Sequence, residues 1–136
     1  MPVLETDFLK ALVDPHDRFH DKAVKALKKV EEGQWYVASS AFLEFDLLLK
    51  KAGASMEDRI DVFESLKPHV RPEVVCKLNH QIVAIAGRLQ KAYGFLNFYF
   101  DSLHLGTAME HDGQIVSSDK SFDHIKEVKR IPLDKL

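Results

Sequence analysis

Short runs of apolar, branched and aromatic residues alternate with longer spans of helical periodicity, and this alternation constrains the fold of the 136-residue chain more than any other feature. Residues 2–5, 35–38, 114–117 and 130–133 read as strands, and Trp35-Tyr36-Val37-Ala38 has the residue types a pleated core accepts. Residues 8–13 read as a helix closed by Asp14-Pro15. In the next helix Phe19, Ala23, Val24, Leu27 and Val30 recur at helical spacing, with Asp17 as its cap and Gly33 as its terminator. Ser39 or Ser40 caps a helix over 41–51 that stops near Gly53. Parallel neighbours cannot be joined by a tight hairpin, so strands separated by helices predict an α/β protein with a mainly parallel sheet.

The stretch 55–94 departs from that alternation. Ser55 and Asp58 have the spacing of a capping box and predict a helix over 56–66, with Met56, Ile60 and Phe63 inward and Pro68 as its stop. A long helix follows with Leu78, Ile82, Ile85, Ala86 and Leu89 on one face and ends near Gly94, so the stretch is expected to form a helical hairpin. A further helix runs from about residue 98 to His111, and Gly113 terminates it.

With 46% hydrophobic residues and no linker or repeat, residues 1–136 are expected to form one domain around one core. No apolar run is long enough to span a bilayer and the start lacks a signal peptide's basic and apolar regions, which predicts a cytoplasmic protein without a membrane partner. The lone Cys76, beside Val74 and Val75, reads as a core filler rather than a nucleophile. A net charge of −2 argues against an all-over electrostatic grip on nucleic acid. Bases do cluster at Lys22, Lys25, Lys28 and Lys29 and again at Lys120, Lys126, Lys129 and Arg130, although such runs most often mark a solvated helix face.

Acids sit where the predicted strands end or helices begin: Glu5 and Asp7, Glu44, Asp101 and Asp119. Sites in open α/β sheets form beyond the carboxyl ends of the strands where strand order reverses, which places Asp7, Glu44 and Asp119 along one edge. Taken singly, Asp7 and Asp119 read as helix caps and Glu44 as the partner of a lysine. Taken together, acids among apolar neighbours repel one another in a partly dry site, and only protons or a divalent cation relieve that repulsion. Hard oxygen ligands suit Mg²⁺ or Mn²⁺.

Four segments in this order, Val3-Leu4-Glu5-Thr6-Asp7-Phe8-Leu9, residues 39–45 with Glu44, Phe100-Asp101-Ser102-Leu103-His104-Leu105-Gly106-Thr107-Ala108 and Val116-Ser117-Ser118-Asp119-Lys120-Ser121-Phe122, resemble the PIN domain family, and within it the small prokaryotic ribonucleases of VapC type. The resemblance covers essentially the whole chain. It implies a three-layer α/β/α sandwich and a metal-dependent endoribonuclease, the toxin of a toxin–antitoxin pair, that cuts single-stranded RNA. Its implied site is Glu5 or Asp7 with Glu44, Asp101 and Asp119, its cofactor Mg²⁺ or Mn²⁺, its partner an antitoxin protein and its assembly a homodimer. One position departs from the family: Glu5 stands where the first catalytic Asp is expected and Asp7 where its polar neighbour is, so either can be the first metal ligand.

That departure keeps a second reading open, a PIN-like RNA- or protein-binding module with weakened catalysis. A flavodoxin-like receiver also gathers acids at strand ends, but it needs an Asp after its middle strand and a Lys after its last, and the acids here follow the PIN order instead. Ser118 reads as a donor to a metal ligand or phosphate, or as a turn hydroxyl; Asp123 reads as a fifth acid or as a solvated charge. His104, one turn after Asp101, reads as a packed histidine supporting the site rather than a base, and no other histidine has metal-ligand spacing. Tyr93, Phe95, Phe98, Tyr99 and Phe100 could stack RNA bases but read better as core or dimer interface, and with the apolar 56–66 helix they motivate the homodimer.

Overall fold

The computed structural model describes residues 1–94 and 98–136. β1 (Val3–Leu4) leads into α1 (Thr6–Val13) and α2 (His20–Glu31), and β2 (Tyr36–Ala38) into α3 (Ser39–Lys51) and α4 (Met56–Leu66). β3 (Val75–Cys76) precedes α5 (His80–Tyr93) and α6 (Tyr99–Glu110); β4 (Gln114–Ser117) and β5 (Lys129–Pro132) close the chain with a 3₁₀ segment, Lys120–His124, between them. The five strands form one sheet in the order β3-β2-β1-β4-β5, every pair parallel. The expected α/β sandwich is therefore present, and its sheet is parallel throughout. No helix among the described residues is long and apolar enough to cross a membrane.

Topology decides where a site can form. From β1 the chain builds outward through β2 to β3, then returns to lay β4 on the other side of β1. Strand order thus reverses between β1 and β4, and a crevice opens beyond their carboxyl ends. Val3, Leu4, Ile115 and Val116 are fully buried, so the two segments that leave this edge start from a rigid base. α6 lies close by and is buried from Ser102 to Ala108, around its whole circumference. A helix buried all round can carry polar side chains only if they find partners inside, and Ser102, His104 and Thr107 each do.

Several local expectations need correction. The stretch 55–94 is no helical hairpin: β3 interrupts it as the sheet's edge, α4 rests against α3 and α5 against α6. Two residues of strand carry too little periodicity to be read, and their place is fixed by pairing Val75 and Cys76 with Val37 and Ala38. Met56 and Ile60 do not face inward but are 61% and 45% exposed; α4 packs inward instead through Leu66, which is buried, and Phe63, whose ring lies 6.0 Å from that of Phe45. Neither Ser39 nor Ser40 caps α3, which begins at Ser39 itself; the Ser39 hydroxyl accepts from Leu78 N and Ser40 turns to His104. Asp17 accepts from Phe19 N, closing the turn before α2 instead of capping the helix. Leu78 precedes the α5 cap, Asn79.

The remaining turn chemistry follows the sequence. Ser55 Oγ accepts from Asp58 N at 3.1 Å, and Gly33 and Gly94 adopt the positive φ that ends a helix. Cys76 is buried, and burial pushes its thiol up to about 12, as a core filler requires. Of the aromatic cluster, Phe95 lies outside the described residues, while Phe98 and Tyr99 are exposed.

α5 and α6 approach closely at Gly106, where an added Cβ would meet Ile82 O at 3.0 Å and Ala86 N at 3.4 Å. Both neighbours are backbone and cannot step aside. Gly106→Val is therefore expected to destabilise the protein by about 1–3 kcal/mol through overpacking, read as a lower urea midpoint at unchanged slope. An unaltered midpoint would show that the helices part without cost.

Candidate functional site

As the chain leaves β1 it turns directly into α1, and this turn sets the positions of two carboxylates. Glu5 is the N-cap: its side chain folds back and accepts from Asp7 N at 3.3 Å. It is only 5% exposed, and Ser117 Oγ, at the end of β4, donates to its Oε1 at 2.8 Å. Asp7, in the first turn of α1, reaches across to the same strand end, where its Oδ2 accepts from both the N–H and the hydroxyl of Ser118 at 2.6 Å. The other oxygen, Asp7 Oδ1, is buried without a hydrogen-bond partner among the described residues. Burial first, then the Asp7 carboxylate beside it and more weakly that of Asp101, push the Glu5 carboxyl well above its usual range, against the opposing hydrogen bond from Ser117.

Helices α3 and α6 supply the other side. Glu44, one turn into α3, is half-buried, and its Oε1 lies 3.0 Å from His104 Nε2. Burial disfavours its charge, but hydrogen bonds from His104 and Thr6 and the charge of Lys10 outweigh that, so Glu44 stays below the usual carboxylate range. Asp101, in the first turn of α6, has no such support. Burial pushes it up to about 6, the nearby His104 pulls it down, and Glu44, Asp119 and Asp7 push it further up.

After β4, Asp119 caps the 3₁₀ segment by accepting from Ser121 N at 2.9 Å, while its own N–H donates to Ser117 Oγ. Asp119 thus has the capping bond that its single reading predicted, and it also lines the cleft. Asp123 is exposed and bound through both oxygens to Arg130, whose Nη1 also donates to Ser117 O. It therefore acts as a strut under the β4 turn, and the solvated alternative is the nearer one.

Glu5, Asp7, Glu44 and Asp119 line one cleft of about 190 Å³, together with Thr6, Lys10, Leu48 and Ser118. Asp101 is not part of the cleft wall, yet it lies near enough to raise Glu5 and to be raised by three of the others. Lys10, Thr6, Ser40 and Ser117 were not among the sequence candidates. Lys10 could have been found, since it lies three residues after Asp7 on the same face of α1. The hydroxyls could not, because each finds its partner across a different element.

The donor set fits a hard divalent cation. Ligand atoms of Glu5, Glu44 and His104 lie within 4.8 Å of one another. The His104 nitrogens are both hydrogen-bonded and the ring is wholly buried, which leaves carboxylate oxygens as the available donors. With Glu5 and Asp7 both ionised, Asp7 Oδ1 is a buried acceptor with nothing to accept, and either a proton on Glu5 or a cation cures that.

A family model described as PIN domain matches residues 3–128. No curated protein matches the chain. Among solved structures the chain is similar to FitAcB from Neisseria gonorrhoeae, at 16% identity and TM-score 0.74 with all of both chains covered. It is also similar to VapBC2 from Rickettsia felis bound to a DNA fragment from their promoter, at 15% identity and TM-score 0.71 over 95% of this chain and 96% of that one. A toxin-antitoxin complex from Klebsiella pneumoniae aligns at 16% identity and TM-score 0.67 over 98% of each chain. At these identities the likeness establishes the fold.

The raised Asp101 has a thermodynamic consequence whose sign is fixed. Between its ordinary 3.8 and about 6 the folded protein binds more protons than the unfolded chain, so stability falls as pH rises through that window and the loss is complete above it. Asp101→Asn removes the penalty. At about 1.4 kcal/mol per pH unit, discounted for the part of the side chain that water reaches, it is expected to stabilise the metal-free protein by about 1–2 kcal/mol at pH 7. Urea unfolding in EDTA measures this, and the gain should vanish near pH 3.5; an equal gain at both pH values would place the repulsion elsewhere.

Proposed function

The chain belongs to the PIN domain family, and on that premise we propose that it is a metal-dependent endoribonuclease that cuts single-stranded RNA, the toxin of a toxin–antitoxin pair. What carries this reading is the convergence of carboxylates at the β1/β4 switch point around a buried Asp7 oxygen that lacks a partner. Asp7, Glu5, Asp101 and Asp119 would hold Mg²⁺ or Mn²⁺. The chemistry such an ion supplies when bound is charge neutralisation on the phosphate and a water acidic enough to react near neutral pH.

The protein's own groups do the rest. Lys10, exposed at the cleft wall, meets a phosphate oxygen and partly offsets the acids that would repel RNA. Glu44, kept ionised by His104 and Thr6, is the available proton acceptor for an attacking water. Ser118 and Asp119 mark the far wall, where the β4 turn limits how deep a strand can enter. The clefts of two copies, paired in a homodimer, would let lysines of both reach one RNA, and the exposed Phe98 and Tyr99 supply apolar surface for that contact. An antitoxin would inhibit by placing an arginine among the same carboxylates. Its support is the fold shared with a structure whose name describes a toxin-antitoxin complex.

The binding-module reading keeps one specific observation. Glu5 is spent as a helix cap and as the acceptor of Ser117, and a carboxyl so engaged, with its charge disfavoured, is a weaker ligand than a free Asp. Activity separates the two. Purified protein is expected to cut single-stranded RNA in Mg²⁺ or Mn²⁺ and to stop in EDTA, and Asp119→Asn should slow cutting at least about 100-fold with the fold intact. RNA bound but never cut would establish the module instead, and cutting unaffected by EDTA or by Asp119→Asn would remove this cleft from the chemistry.

A further inference from the structure

His104 is the one histidine with no solvent exposure, and it sits in the middle of a polar cluster built from three elements. Its Nδ1 lies 2.7 Å from Ser40 Oγ of α3, and its Nε2 lies 3.0 Å from Thr6 Oγ1 of α1 and 3.0 Å from Glu44 Oε1 of α3. A carboxylate can only accept, so the hydrogen on this contact belongs to Nε2. Among the described residues Ser40 Oγ has no hydrogen-bond partner other than Nδ1, so its hydroxyl donates there. One tautomer satisfies every group: Nε2 protonated, Nδ1 an acceptor. Thr6 Oγ1, beside Nε2, closes the cluster from the β1 side.

We infer that His104 is a positioning residue of the cleft: Ser40 fixes its tautomer, and its Nε2–H clamps the Glu44 carboxylate in the orientation the reaction uses. The inference rests on the nuclease reading for its effect on rate but not for its geometry. Without the clamp, a glutamate has three torsions to explore, and among the described residues no other side chain of α3 or α6 is hydrogen-bonded to Oε1. The clamp also spans the joint between α3 and α6, so the carboxylate is referenced to the helix that carries Asp101, three residues before His104.

The test pairs kinetics with spectroscopy. His104→Leu is expected to lower kcat about 10- to 100-fold with KM little changed, because substrate contacts remain while the acceptor is misplaced. His104→Gln sets an amide N–H where Nε2 stood and should recover most of that loss. His104→Asn is equally polar but reaches only as far as Nδ1 and should not. A purely structural role would not tell Gln from Asn, so equal recovery by both, or full activity in His104→Leu, overturns the clamp. Long-range proton–nitrogen NMR of the wild-type ring at pH 7 supplies a readout that needs no catalysis and no substitution. Protonation on Nε2 alone, lost as a single tautomer in Ser40→Ala, supports the inference, and a ring protonated on Nδ1, with or without Nε2, overturns it. If the wild type cuts no RNA the nuclease reading falls, and the tautomer still decides the clamp.

Discussion

Mutual repulsion of carboxylates around the end of β1 is the constraint to which the rest of this structure answers. Glu5, Asp7, Glu44, Asp101 and Asp119 come from four separate stretches of chain, and a random arrangement of their helices would keep them apart. The parallel sheet instead delivers them to one place, because β1 and β4 run side by side in the same direction and both end there. The core beneath supplies the force that holds the acids together. Val3, Leu4, Ile115 and Val116 are buried without exposure, and separating the loops above them would mean disturbing the centre of the sheet.

Each acid meets the repulsion differently, and the differences divide the site. Glu44 is offset by donors and stays ionised. Asp7 is tied at one oxygen by Ser118 and left open at the other. Glu5 and Asp101 absorb most of the burial and cling to protons. A cleft made this way concentrates negative charge that a proton or a cation would relieve. The outlying pair of Asp123 and Arg130 shows the contrast: there the charges are matched within the chain and the acid's pKa falls.

How much of this was legible in the sequence depends on whether a signal is local. Alternation of strand and helix, the Ser55 cap, the glycine terminators and the acids at the element ends are all written within a few residues, and the structure has them where they were read. β3 was not legible, because two residues of edge strand have no period of their own and exist by virtue of their partner in β2. The orientation of α4 was not legible either, since Met56 and Ile60 have the spacing of a buried face, yet the helix turns Phe63 and Leu66 to the core and leaves those two in water. Ser39 and Ser40 had the residue type of a helix cap, but tertiary partners 39 and 64 positions away claimed both hydroxyls. Within the site the acids were readable as types at junctions, whereas the hydroxyls that hold them were not, because a serine beside a strand end looks the same whether it faces a carboxylate or water.

The single methylene that distinguishes Glu5 from an aspartate explains much of the local architecture. An aspartate at an N-cap satisfies the helix end with little length to spare, whereas Glu5 both caps α1 through Oε2 and accepts from Ser117 through Oε1. That second bond, with the two from Ser118 to Asp7, latches the segment after β1 to the segment after β4 by three short contacts to carboxylates. Charge-assisted hydrogen bonds of this kind are strong only while the acceptor is ionised. The latch on Asp7 therefore does not depend on Glu5 keeping its charge, and a proton taken up by Glu5 eases the repulsion without releasing Ser118. Moving the tie to Asp7 leaves Glu5 free to carry the burial, so the longer side chain at this position changes which carboxylate offers an open oxygen to the cleft rather than whether one is offered.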